Sequence, residues 1–127
     1  MTDSIESISL AAARLALDAS SLRQQAIASN IANANVSGYA TQRVSFEEQL
    51  SDARRVLADN GRLDASALLD VKAQVETGAV RSSVSTQVQL DAEVAALSLN
   101  ALHYQALVKG LSRHFGILEM AAADGRK

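Results

Sequence analysis

Between Leu90 and Ala122, alternating steps of four and three residues select Leu90, Val94, Leu97, Ala101, Tyr104, Val108, Leu111, Phe115, Leu118 and Ala122, all apolar or aromatic. A spacing kept over more than four heptads predicts a coiled-coil seam on one long helix, because a 3.5-residue repeat holds a single helix line against a partner. Over residues 84–123 that helix would be a rod of roughly 60 Å at about 1.5 Å per residue. Val94, Ala101, Val108 and Phe115 fall at one core position of the heptad, with Leu90, Leu97, Tyr104, Leu111 and Leu118 at the other. β-Branched residues at the first and leucine at the second lean towards two-stranded packing. Near the start of the chain the same rule selects Ile8, Ala12, Leu15, Ala19, Leu22 and Ala26, where large residues alternate with alanine. Such a line leaves room for bulky residues opposite, including Tyr104 and Phe115. The pattern therefore predicts a mainly α fold in which an N-terminal helix, 3–34, pairs with the C-terminal helix, 84–123, as an antiparallel coiled-coil hairpin.

Each predicted helix carries a second apolar line off its seam: Leu10, Leu17 and Ile31 on the first, Leu99, Leu102 and Leu107 on the last. The positions flanking the last seam, such as Glu93, Ser98, Asn100 and Gln105, lack the alternating charges that make a two-helix pair specific by itself. The hairpin is thus expected to be surrounded, either by neighbouring subunits or by its own central segment folding back.

Residues 35–83 are the polar part of the chain. Thirteen charged residues lie between Arg43 and Arg81, against five in 3–34 and five in 84–123. With no proline, punctuation falls to the clusters at Asn33–Gly38 and Thr77–Ser85. Phe46 to Asp59 predicts a short helix, with Ser45 as cap and Glu48 closing a capping box. Val71, Ala73 and Val75 alternate like a strand, so the rest of the middle is read as loop or β-hairpin. The whole chain is expected to be one domain, 1–127.

Composition narrows the function by exclusion. A net charge of −2, without a lysine or arginine cluster, offers nothing to neutralise a phosphate backbone, so nucleic acid is not an expected partner. Cysteine is absent, which removes disulfides and thiolate metal sites. Met1–Leu10 carries Asp3 and Glu6 with no basic region or apolar core, so a cleaved secretory signal is not expected. His103 and His114, about 16 Å apart along a continuous helix, cannot share a metal. The pairs Glu47/Glu48 and Asp91/Glu93 diverge on a helix, and no phosphate loop, metal-binding helix motif or nucleophile elbow occurs. No catalytic residue, cofactor, metal or small-molecule substrate is expected, and the chain is read as a non-enzyme.

Residues 27–50 read IASNIANANVSGYATQRVSFEEQL. Asparagine at a helix end can satisfy orphan carbonyls, and Gly38 permits a backbone reversal closed to other residues, so this segment is a helix terminator feeding a turn. In Ser29, Asn30, Ile31, Ala32, Asn33, Gly38 and Tyr39, followed through Asn35, it resembles the N-terminal signature of bacterial flagellar rod and hook proteins. Val36-Ser37 stands where the family usually has Thr-Pro. The other end, LDAEVAALSLNALHYQALVKGLSRHFGILEMA, is similar to the C-terminal helix of the proximal-rod type, with His103 replacing its usual arginine. The resemblance implies a structural subunit of the basal-body rod in the periplasm, which assembles with copies of itself and other rod proteins and transmits torque. It also implies contact with membrane-ring and export-apparatus proteins, and export by the flagellar type III system without a cleaved signal. Phe46-Glu-Glu-Gln-Leu50 is similar to the family's FxxxL export-gate element, although Phe and Leu one turn apart are equally expected of any amphipathic helix. Another rod subunit, or a free-standing helical adaptor binding a partner helix, is the competing reading.

Overall fold

The computed structural model describes residues 2–46, 50–52, 55, 59, 68, 71–80 and 86–125. Two long helices, α1 (Thr2–Ala32) and α2 (Thr86–Asp124), flank two strands, β1 (Ala40–Ser45) and β2 (Gln74–Val80). The strands pair antiparallel, with Val44 opposite Val75 and Arg43 opposite Glu76, and the register shifts between Ala40 and Gln42. Near that irregularity Gly78 lies close to β1: a Cβ there would stand 3.0 Å from the Thr41 hydroxyl and 3.2 Å from its carbonyl oxygen. The Thr77–Ser85 cluster, read from sequence as punctuation, thus contributes the second half of β2. Leu50–Asp52, Arg55 and Asp59 are helical, and the Leu50 N–H donates to the Phe46 carbonyl at 3.0 Å. The remainder of the predicted short helix, Glu48 included, lies outside the described residues. Ser45 closes β1, where its hydroxyl donates to the Glu76 carboxylate.

The two helices touch along faces that overlap the predicted seams only in part, at residues such as Ala26, Ala101 and Leu111. On α1 the side towards α2 carries Ala13, Ala16, Ser20, Gln24 and Ile27. Leu15 and Leu22, from the predicted seam, border Val71 and Ala73 of the central segment. On α2 the residues opposite α1 include Glu93, Ala96, Asn100, Leu107 and Leu111. Of the predicted α2 line, Leu90, Leu97, Ala101, Leu111 and Leu118 are half-buried, while Val94, Tyr104, Val108 and Phe115 are exposed by 40–47%. Ile8 of the predicted α1 line is half-buried. The reason is visible in the side chains that win the contact. Alanines and a serine let two backbones approach, and paired polar groups fix the register, whereas the bulky line would hold the helices further apart. Apolar residues are spread widely around both helices, so periodicity alone could not choose between two adjacent lines.

Among the described residues, Leu15, Ala19, Ala26, Ile27, Ala34, Val44, Leu68 and Val71 are the buried hydrophobic ones. They gather around the C-terminal half of α1, where β1 and the central segment pack. Burying a leucine or valine contributes about 1.5–3 kcal/mol, so this half holds most of the hydrophobic stabilisation. Among the described residues no helix is long and apolar enough to cross a membrane.

Candidate functional site: an asparagine clamp and two helix flanks

Where α1 ends, Asn30 is 2% exposed and every hydrogen-bonding position of its amide is filled. Its Nδ2 donates to the Gln42 carbonyl at 2.9 Å and to Glu93 Oε1 of α2 at 3.1 Å. Its Oδ1 accepts the Gln42 N–H at 2.8 Å and the Tyr39 hydroxyl at 3.3 Å. Asn30 therefore meets Gln42 as a neighbouring strand would, giving one donor and one acceptor to the same residue's backbone. Arg23 extends this cover by donating to the Val44 carbonyl at 3.2 Å. Two side chains of α1 thus occupy the edge of β1 turned away from β2, which explains why ATQRVS becomes a strand despite weak apolar alternation.

The turn that brings Gln42 back to Asn30 is built from the same motif. Asn33 Nδ2 and its own N–H both donate to the Ser29 carbonyl, at 2.8 and 3.0 Å, satisfying an acceptor of the last helical turn. Val36 N–H then donates to the Asn33 carbonyl and Tyr39 N–H to the Val36 carbonyl. Gly38 sits in the second of these turns with φ 77°, a conformation that favours glycine by about 1–2 kcal/mol. A Cβ at Gly38 would meet nothing within 4 Å, so backbone geometry and not space selects glycine. Tyr39, whose hydroxyl donates to Asn30, lies 3.0 Å from the Ser29 hydroxyl, which supplies the proton for that second contact. Asn35 is exposed. Of the motif residues singled out from sequence, Ser29, Asn30, Asn33, Gly38 and Tyr39 meet in one network. Gln42 and Glu93 are partners that sequence reasoning missed, since neither lies in a motif and both are reached only through the fold.

A second polar pair lies further along the helices. Asn100 Nδ2 donates to the Ser20 carbonyl at 2.9 Å and to Gln24 Oε1 at 2.8 Å, and the Ser20 hydroxyl donates to Asn100 Oδ1 at 3.0 Å. Both Asn100 and Ser20 are buried. Asn30 meets Glu93 and Ser20 meets Asn100, so the two helices run in opposite senses at these contacts. A buried asparagine between helices sets register, because sliding by one turn leaves its amide without partners.

Beyond Asn100 the packing loosens. A cavity of about 510 Å³ opens between the helices, and Ala13, Ala16, Ala106, Leu107, Gly110 and Leu111 are among the residues that line it. Phe46 borders it, its ring 5.5 Å from the Arg23 guanidinium carbon. Phe46 therefore touches α1, while Leu50 is 38% exposed. His103 borders the same cavity, and His114 has a buried Nε2 without a hydrogen-bond partner. No group of three or more His, Asp or Glu side chains that could hold a metal occurs among the described residues. The arrangement supplies positioned amides and apolar surface.

The family model described as "Flagella basal body rod protein" matches residues 10–39, the segment running from the middle of α1 through Gly38 and Tyr39. The "Flagellar basal body rod protein FlgB" of Bacillus subtilis (strain 168) is 28% identical over 116 residues, covering 87% of this chain and 90% of that protein. No solved structure matches the chain at a significant level.

Proposed function

We propose, from the premise that this chain is a member of the flagellar basal-body rod family, that it serves as a structural subunit of the proximal rod. The observation that carries this reading is the exposure of large apolar side chains along the whole of α2, among them Val94, Leu102, Val108, Phe115 and Met120. Isolated exposed leucines are ordinary, but large apolar side chains exposed on several sides of one helix along its length point to an interaction surface. In an assembled rod, copies of this chain and other rod proteins would cover it, and the terminal helices would pack as coiled coils. The clamp at Asn30 gives such a subunit a rigid corner through which torque passes from α1 to α2 without any catalytic step.

On this reading the chain acts as one rod-subunit domain, 1–127, in the basal body. It leaves the cytoplasm by the flagellar type III system without a cleaved signal and borders membrane-ring and export-apparatus proteins. It uses no nucleic acid, cofactor or small-molecule substrate. Phe46 and Leu50 are proposed as its export-gate element. The experiment is to delete the chain in its own bacterium and restore it with an epitope. Recovery of motility, with the epitope in purified basal bodies, is the expected result. Motile cells whose basal bodies lack the epitope would overturn the reading. Phe46→Ala with Leu50→Ala should leave the chain in the cytoplasm. Because Phe46 also packs on Arg23, the helix content of the purified variant must match that of the parent chain.

A further inference from the structure

The contacts between α1 and α2 recur every seven residues. Glu93 of α2 accepts from Asn30, and Asn100, one heptad on, exchanges hydrogen bonds with Ser20 and Gln24. Leu107 follows in step and lines the cavity together with Ala13 of α1. The fourth residue in the series is His114. Seven residues return to the same helix face within about 20° and advance about 10.5 Å, so all four lie along the side of α2 turned towards α1. Their burial agrees: Asn100 is buried, and Glu93, Leu107 and His114 are each half-buried between two exposed neighbours. Because the helices run in opposite senses, α1 is counted backwards by the same step. Ser20 meets Asn100, Ala13 meets Leu107, and Glu6, which is half-buried, comes opposite His114.

At this last position the chemistry changes from fixed amides to groups that exchange protons. The Nε2 of His114 is buried without a hydrogen-bond partner. Neutral imidazole leaves that nitrogen unsatisfied in either tautomer, whereas imidazolium presents an N–H there that a facing carboxylate can accept. The other charged side chains described at this end, Arg14 on α1 and Lys109, Arg113 and Glu119 on α2, are exposed, where solvent and salt weaken their influence. His103 and Arg23 border the opposite end of the cavity.

We infer that Glu6 and His114 form a third polar rung of the helix pair, a clasp that closes when the imidazole takes up a proton. The proton comes from solvent, and the Nε2–H then donates to the Glu6 carboxylate. Closing this rung draws the start of α1 against α2 and narrows the cavity, which lies between it and the Asn100 rung. The closed state holds a proton that the open state binds less tightly, so it gains as pH falls through the range in which histidine titrates, from 8 to 5.5. The far end of the pair is thereby adjustable, while amides fix the end at Asn30. The inference concerns the helix pair alone and is independent of the rod reading.

The chain has no cysteine, so spin labels can be placed at Ser9→Cys and Ser112→Cys, both exposed, to report the separation of the helices by electron–electron dipolar coupling. The purified chain should show a shorter, narrower distance distribution at pH 5.5 than at pH 8. That response should vanish in Glu6→Gln and in His114→Gln and persist in His103→Gln. In urea denaturation, the cycle of Glu6→Gln and His114→Gln should give a coupling of about threefold or more in the unfolding constant at pH 5.5, and none at pH 8. A distance that ignores pH, a response that survives Glu6→Gln, or one that disappears with His103→Gln would each overturn the inference. So would a coupling equal at both pH values, which would mean a bond that no proton controls.

Discussion

The two ends of the helix pair are built on different terms. At the corner where α1, β1 and α2 meet, Asn30 is buried with four hydrogen bonds, and Ala26, Ile27, Ala34 and Val44 pack around it. At the far end Val108, Phe115, Ile117 and Met120 stand exposed, and the buried Nε2 of His114 has no partner. A buried polar group costs about 1–3 kcal/mol when left unsatisfied, so the first end is made to be stable alone and the second is not. The difference teaches where each kind of residue is spent. Hydrogen-bonding specificity fixes this corner, and the far end leaves apolar surface that the proposed rod contacts would cover.

The sharpest way to break the stable end is Asn30→Asp. The new carboxylate cannot donate to Gln42 or Glu93, and it faces Glu93 as a like charge. Losing those bonds while burying a charge is expected to destabilise the isolated chain by about 3–5 kcal/mol at neutral pH. Burial and Glu93 would raise the carboxylate's folded pKa above its unfolded value, so the folded state binds more protons and part of the loss should be recovered as pH falls towards 4. Urea denaturation at pH 7 and near pH 4.5 checks this. A loss that does not depend on pH would show that Asn30 acts by shape alone.

Asn100→Ala probes the boundary between the two ends, because it removes the amide that reads Ser20 and Gln24. A loss of about 1–3 kcal/mol is expected, and the paired variant Ser20→Ala with Asn100→Ala should cost less than the sum of the two single changes. Gly38→Ala tests the turn. Nothing stands near its missing side chain, so the cost is the positive φ alone, about 1–2 kcal/mol. Urea midpoints measure both.

Val108→Asp should change least in the isolated chain. The heptad pattern alone would bury that carboxylate in the seam, but at 40% exposure its effect on stability is expected to be under about 1 kcal/mol. Basal-body assembly should nevertheless fail. A large fall in the urea midpoint would instead place Val108 inside the subunit and erase the contrast between the two ends.

How far this was legible in the residues follows from the kind of interaction involved. Helix termination at Asn33–Gly38 is local chemistry, since an asparagine amide four residues from the Ser29 carbonyl and a glycine in a tight turn act within a few residues. So were the two long helices, whose apolar periodicity is repeated over many turns. β1 was not legible, because its strand character comes from Asn30 and Arg23 binding its edge from another element. Nor was the face by which α1 meets α2. Ala13, Ala16 and Ser20 are neither bulky nor regularly apolar, and a pattern that rewards size points to Leu15 and Leu22 instead.

What the sequence by itself determined is thus everything set by neighbours along the chain: two long helices, a turn after the first, a polar middle and the motif that resembles rod proteins. The tertiary structure alone decided which faces meet, because that choice depends on how closely two backbones can approach and on whether Asn30 and Asn100 find their partners. Both are properties of pairs of residues as much as 80 positions apart, which no local pattern can encode.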